Sequence, residues 1–126
     1  MGEEIQRKLQ SEVENFKASQ KELQKAITNR QQLDGQLNEN KIVKDELNLL
    51  KSEAVVYKSL GPILIKTELS EAKQNITKRI AFITKELERI DTQIEGLEKK
   101  QDSYKGNIQK LQQQYQQMQM KAALKA

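Results

Sequence analysis

Apolar residues recur along the second half of this chain at alternating spacings of three and four: Ile76, Ile80, Ile83, Leu87, Ile90, Ile94, Leu97, Gln101, Tyr104, Ile108, Leu111, Tyr115 and Met118. Gln101 is the one polar rung. A seam this long and narrow predicts a coiled-coil helix rather than a helix lying on a globular core. The first half keeps the same spacing less cleanly, through Ile5, Leu9, Glu12, Phe16, Ser19, Leu23, Ala26, Arg30, Leu33, Leu37, Asn40, Lys44 and Leu47. Its polar rungs make it the weaker half of any pairing. The ladders predict helices over about 3–50 and about 68–121, followed by a tail over 122–126. Glu3 with Arg7 and Glu4 with Lys8 place acid four residues before base, which supports the first helix start. Gly35, Gly96 and Gly106 fall at heptad positions f, c and f, on the solvent side, where a missing side chain removes no seam contact.

Between the helices the pattern changes. Two short runs rich in β-branched residues, Ala54 to Ser59 and Ile63 to Lys66, flank Gly61-Pro62. They predict a β-hairpin over about 54–67, with Pro62 at the start of its second strand, where a missing N–H is tolerated. Folding back there makes the helices antiparallel, with residue numbers across the seam adding to roughly 118. The chain ends then meet about 70 Å from the hairpin at 1.5 Å per helical residue. The fold class expected is mainly α: a long antiparallel two-helix coiled coil joined by a single β-hairpin.

Composition narrows what such a fold can do. Charged residues are 32% of the 126 and aromatics 4%, too little bulky apolar material for a compact core, and no shift in composition marks a boundary; one domain is expected. The formal charge of +4 comes from interleaved acids and bases rather than a one-signed stripe, which argues against nucleic-acid binding. No run of eighteen apolar residues offers a membrane span, and the first residues lack the apolar run of a secretory signal, so a cytoplasmic protein is expected. With no His and no Cys there is no imidazole base, thiolate or typical zinc set, and no glycine-rich loop suits a phosphate. Neither catalysis nor a cofactor is expected.

An isolated two-stranded hairpin is marginal in water, because it buries one thin face and leaves two unpaired edges. Its residues Val55, Val56, Tyr57, Leu60, Ile63, Leu64 and Ile65 are therefore expected to mediate subunit assembly. Ile42, Val43, Leu49, Leu50 and Phe82 spread apolar surface beyond the seam close by, which also points to neighbouring subunits.

Gly61-Pro62-Ile63-Leu64-Ile65-Lys66 followed by Glu68-Leu69 and Glu71-Ala72 resembles the prefoldin family in its β class, as do Leu37-Asn38-Glu39-Asn40 with Val43-Lys44 and Glu46-Leu47, and Ile5-Gln6 with Lys8-Leu9-Gln10. The likeness covers nearly the whole chain. It implies a heterohexamer of two α-class and four β-class prefoldin subunits, whose hairpins assemble into β-barrels from which six coiled coils project. It further implies capture of unfolded proteins, actin and tubulin chains foremost, and their transfer to the cytosolic group II chaperonin without ATP. On that view the coiled-coil tips contact clients, and Ile5, Leu9, Val13, Phe16, Tyr115, Met118 and Met120 are the candidate contact residues. The seam residues among them also serve simply to close the coiled coil, whereas Met120, off the seam, is the best candidate for direct client contact. The competing function is a structural tether or scaffold without client binding, which has no need of the hairpin.

Overall fold

Both ladders are helical in the computed structural model, which describes residues 2–125. Helix α1 spans Gly2–Leu49, strand β1 Val56–Leu60, strand β2 Ile63–Thr67 and helix α2 Leu69–Lys125. The acids Glu3 and Glu4 occupy the first turn of α1, and Glu71 that of α2, where negative charge meets the positive end of the helix dipole. Lys8 pairs with Glu4 at 3.7 Å, as the spacing requires. Helix α2 outruns its expected end: the segment from 122 continues the helix as far as Lys125, because Ala122, Ala123 and Leu124 are among the best helix formers. Ala126, also placed in the tail, lies outside the described residues.

The hairpin differs in detail from its expected form. Strand β1 begins at Val56, two residues after the expected 54, and Pro62 stands in the turn rather than in β2. The pairing Leu60↔Ile63 leaves Gly61 and Pro62 as a two-residue loop. Gly61 has φ +58, the condition for the first central residue of a type II′ turn, whose twist suits the strands, and Pro62 holds the second at negative φ. The proline that cannot donate to a strand thus sits where no donor is needed.

Contacts divide the chain into two units. One is Asn29–Asp91, which holds the hairpin and the adjoining helix segments; the other comprises the helix segments up to Thr28 and from Thr92. In the first, Leu37, Ile83 and Leu87 form the core, with Leu33 and Ile80 packed against it. Arg30 reaches Asp91 across the same pair of segments. In the second, Gln6 donates to the Tyr115 hydroxyl at 3.1 Å, Asn107 to the Glu12 carboxylate at 3.4 Å, and the Lys105 ammonium lies 5.8 Å from the centre of the Phe16 ring. The segments are antiparallel in each unit, and the residue numbers of these pairs add to 119–121, slightly above the expected 118.

Every rung of both ladders is buried or half-buried. The most buried apolar rungs are concentrated in α2, with Ile76, Ile83, Leu87, Ile90 and Leu97, against Ala26, Leu37 and Leu47 in α1. Two polar rungs of α1 satisfy themselves locally. Ser19 is buried and donates to its own helix at the Phe16 carbonyl, 2.7 Å away, and Asn40 donates to the Gln36 carbonyl at 2.6 Å. An ideal Cβ built at Gly35, Gly96 or Gly106 meets nothing within 4 Å, in keeping with their outward positions.

Candidate functional site

Side chains alternate across a strand and paired residues share a face, so the register divides the hairpin into two faces. One carries Val56, Lys58, Leu60, Ile63, Ile65 and Thr67; the other carries Tyr57, Ser59, Leu64 and Lys66. Both face solvent. Val55, Tyr57, Leu60, Ile63, Leu64 and Ile65 are 45–66% exposed. Val55 precedes β1, and Val56 is set apart, half-buried and turned toward the helices. Among the described residues the sheet has two strands, so the outer edge of each has no ladder partner there.

This exposure is costly. Fully burying a side chain of the Leu or Ile class gains about 1.5–3 kcal/mol, so Leu60, Ile63, Leu64 and Ile65, each about half exposed, together forgo roughly 3–7 kcal/mol in the isolated chain. Apolar surface is also exposed on the helix segments of the same unit, at Ile42, Val43, Leu49 and Phe82, and at Leu50 just past the end of α1. Ile42 and Leu49 lie seven residues apart at f positions, opposite the seam, where an isolated coiled coil carries polar residues. Between hairpin and helices runs an open groove of about 400 Å³, with Val43, Leu47, Val56 and Ile76 among its walls.

The tip candidates fall into two groups. Ile5, Leu9, Val13 and Phe16 on α1 and Tyr115 and Met118 on α2 are half-buried within their unit. Met120 stands free at 66% exposure. Leu124 accompanies it at 84%, four residues on and hence on the same helix face. Sequence reasoning missed Leu124 because it assigned the residue to a tail; the helix-forming run around it was the available signal.

Electrostatics add little chemistry. The Arg30 guanidinium is held above its ordinary value first by its hydrogen bond to Asp91, then by the charge of Asp91, with desolvation opposing and the charge of Asp34 adding a lesser push. Among the described residues no group of three or more Asp, Glu, His or Cys side chains could hold a metal ion, and no helix is long and apolar enough to cross a membrane. The arrangement offers apolar surface and unpaired strand edges, the equipment of an assembling and binding subunit.

Comparison with known proteins agrees. The family described as "Prefoldin subunit" matches residues 10–122, and the chain belongs to the prefoldin family, whose subunits are non-catalytic components of a chaperone. Within it, the chain is 45% identical over 119 residues to prefoldin subunit 6 of Homo sapiens, covering 94% of this chain and 92% of that one. Prefoldin subunit 6 of Mus musculus aligns at the same identity, over 94% of each chain, and that of Arabidopsis thaliana at 40% over 116 residues, covering 92% and 90%. A solved prefoldin beta subunit from Thermococcus strain KS-1 superposes over 87% of this chain and 90% of that one, at 24% identity and a TM-score of 0.47.

Proposed function

We propose that this chain is a β-class subunit of a heterohexameric co-chaperone, built with two α-class and three further β-class prefoldin subunits, that holds unfolded actin and tubulin chains and delivers them to the cytosolic group II chaperonin without ATP. The cytoplasm is its place of work on this reading. The observation that carries the proposal is the exposed hairpin, a two-stranded sheet with apolar side chains on both faces and unpaired outer edges. Pooling such hairpins into a barrel removes the edges and buries both the strand residues and the helix residues beside them. A tether without client binding leaves that surface without a purpose.

Client capture needs apolar surface that remains available after assembly. Met120 and Leu124 meet that need as they stand, and methionine adapts to varied surfaces. Ile5, Leu9, Val13, Phe16, Tyr115 and Met118 contribute when the half-buried ends of the seam open, helix ends being the first parts to fray. The test is aggregation of a diluted, denatured protein followed by light scattering. The complex reconstituted with this subunit suppresses scattering at near-stoichiometric amounts without nucleotide. Scattering unchanged by the complex would remove client binding and leave the tether.

A further inference from the structure

The groove beside the hairpin has an uneven chemistry. Its walls include Val43, Leu47, Val56 and Ile76, while Lys58 of β1 and Arg79 of α2 also line it, and no Asp or Glu does. Among the described residues neither cation takes part in an ion pair or hydrogen bond. Lys58 and Arg79 are both exposed where they line this apolar groove, so a carboxylate docked there meets positive charge, and the attraction strengthens once a partner's apolar residues exclude water.

We propose that this groove receives an acidic side chain, flanked by apolar residues, from a neighbouring and non-identical prefoldin subunit. The inference rests on the reading that the hairpin is an assembly element, and it adds what selects the neighbour. Continuity supports it: Val56 and Lys58 belong to β1, so the groove opens directly onto a strand that assembly would cover. Charge identifies the occupant. A second copy of this chain also carries +4, which makes it the poorer electrostatic match, whereas a subunit presenting a carboxylate satisfies both cations as its apolar residues cover the walls. Hydrophobic strands alone would accept many neighbours; a paired charge rejects those that lack the acid.

The test uses the full set of prefoldin subunits, co-expressed and purified as the complex. A carbodiimide, which joins an ammonium directly to a carboxylate, is expected to link Lys58 to an Asp or Glu of a different subunit. The double variant Lys58→Glu/Arg79→Glu is expected to enter the complex at least about tenfold less well than wild type, with helical circular dichroism unchanged because both side chains lie on the surface. Ile63→Asp is run beside it. If Ile63→Asp blocks entry but the charge-reversed chain enters normally and Lys58 forms no such link, the groove proposal fails and the assembly role of the hairpin stands. Normal entry of both variants overturns both. A Lys58 link only to another copy of this chain overturns the choice of occupant.

Discussion

Arg30 donates its Nε–H to Oδ1 of Asp91 at 2.5 Å, joining the two helix segments that meet at that level. Arg30 occupies a seam rung where the pattern calls for an apolar residue, yet its head lies in solvent, so its methylene stem covers the seam while its charge reaches the neighbouring helix.

A solvated pair of this kind adds little stability, and a hydrophobic residue at the same rung does better. Arg30→Leu is therefore expected to raise the thermal midpoint followed by circular dichroism, and Asp91→Asn to leave it almost unchanged. The folded chain holds Arg30's proton more firmly than the unfolded chain does, so this contribution is complete below the unfolded guanidinium's value and is lost only as pH climbs through the raised folded one. The difference in midpoint between wild type and Arg30→Gln should then stay constant from about pH 6 to pH 10. A midpoint that drops sharply in Arg30→Leu would make the pair a structural requirement rather than a tolerated polar rung.

Ile90 is fully buried, the tightest point of the seam. Ile90→Ala should destabilise the chain by about 2–5 kcal/mol, through lost burial and the cavity left behind. Ser19→Ala, also at a buried rung, should cost almost nothing, because its hydroxyl bonds only to its own helix and removing it strands no partner. Comparable losses at the two sites, read from urea unfolding of the assembled complex, would contradict this ranking.

The glycines divide sharply. Gly35, Gly96 and Gly106 lie within helices with open space where a Cβ would go, so each change to alanine should add about 1 kcal/mol by restricting the unfolded chain and favouring helix. Gly61, at φ +58, has equal space but the wrong backbone for a side chain, and Gly61→Ala should cost roughly 1–2 kcal/mol in the hairpin. Melting of the triple helix variant at an unchanged temperature would show that those outer faces are occupied in the complex.

Among the hairpin residues, Ile63 gives a cleaner assembly test than Val56. Val56 is half-buried against the helices, so Val56→Asp disturbs the chain itself; Ile63 is exposed, and Ile63→Asp changes only what a partner meets. Sedimentation should show the Ile63→Asp subunit free and still largely helical, because the proposed barrel would bury an unpaired carboxylate. An intact hexamer containing it would remove the strand from the interface.

At the other unit, Met120→Ser with Leu124→Ser should leave helicity and assembly intact while raising, by several-fold, the amount of complex needed to halve client aggregation. No change in that amount would move capture away from this helix face.

Helix existence and seam phase were legible from spacing alone, because a sustained 3,4 alternation admits one apolar face and each rung is covered in the structure, even polar ones such as Ser19 and Lys44. Boundaries were less legible. Met118 ends the apolar rungs but not the helix, since Ala122 and Ala123 hold helix by propensity without adding an apolar rung. Pro62 reads equally as first strand residue or second turn residue, and the register that decides between them depends on backbone pairing rather than side-chain pattern. The groove was illegible, since Lys58 and Arg79 are twenty-one positions apart and only the packing of hairpin on helix places them together.

Each strand of the hairpin is five residues long and carries a lysine, Lys58 in β1 and Lys66 in β2. Before it meets its partners, a newly made chain is an orphan bearing a sticky ribbon, the kind of sequence that seeds fibrils. Short strands and embedded ammonium groups act as gatekeepers against that fate, since stacking identical ribbons in register brings like charges together. Stacking of lone subunits on one another is thereby disfavoured.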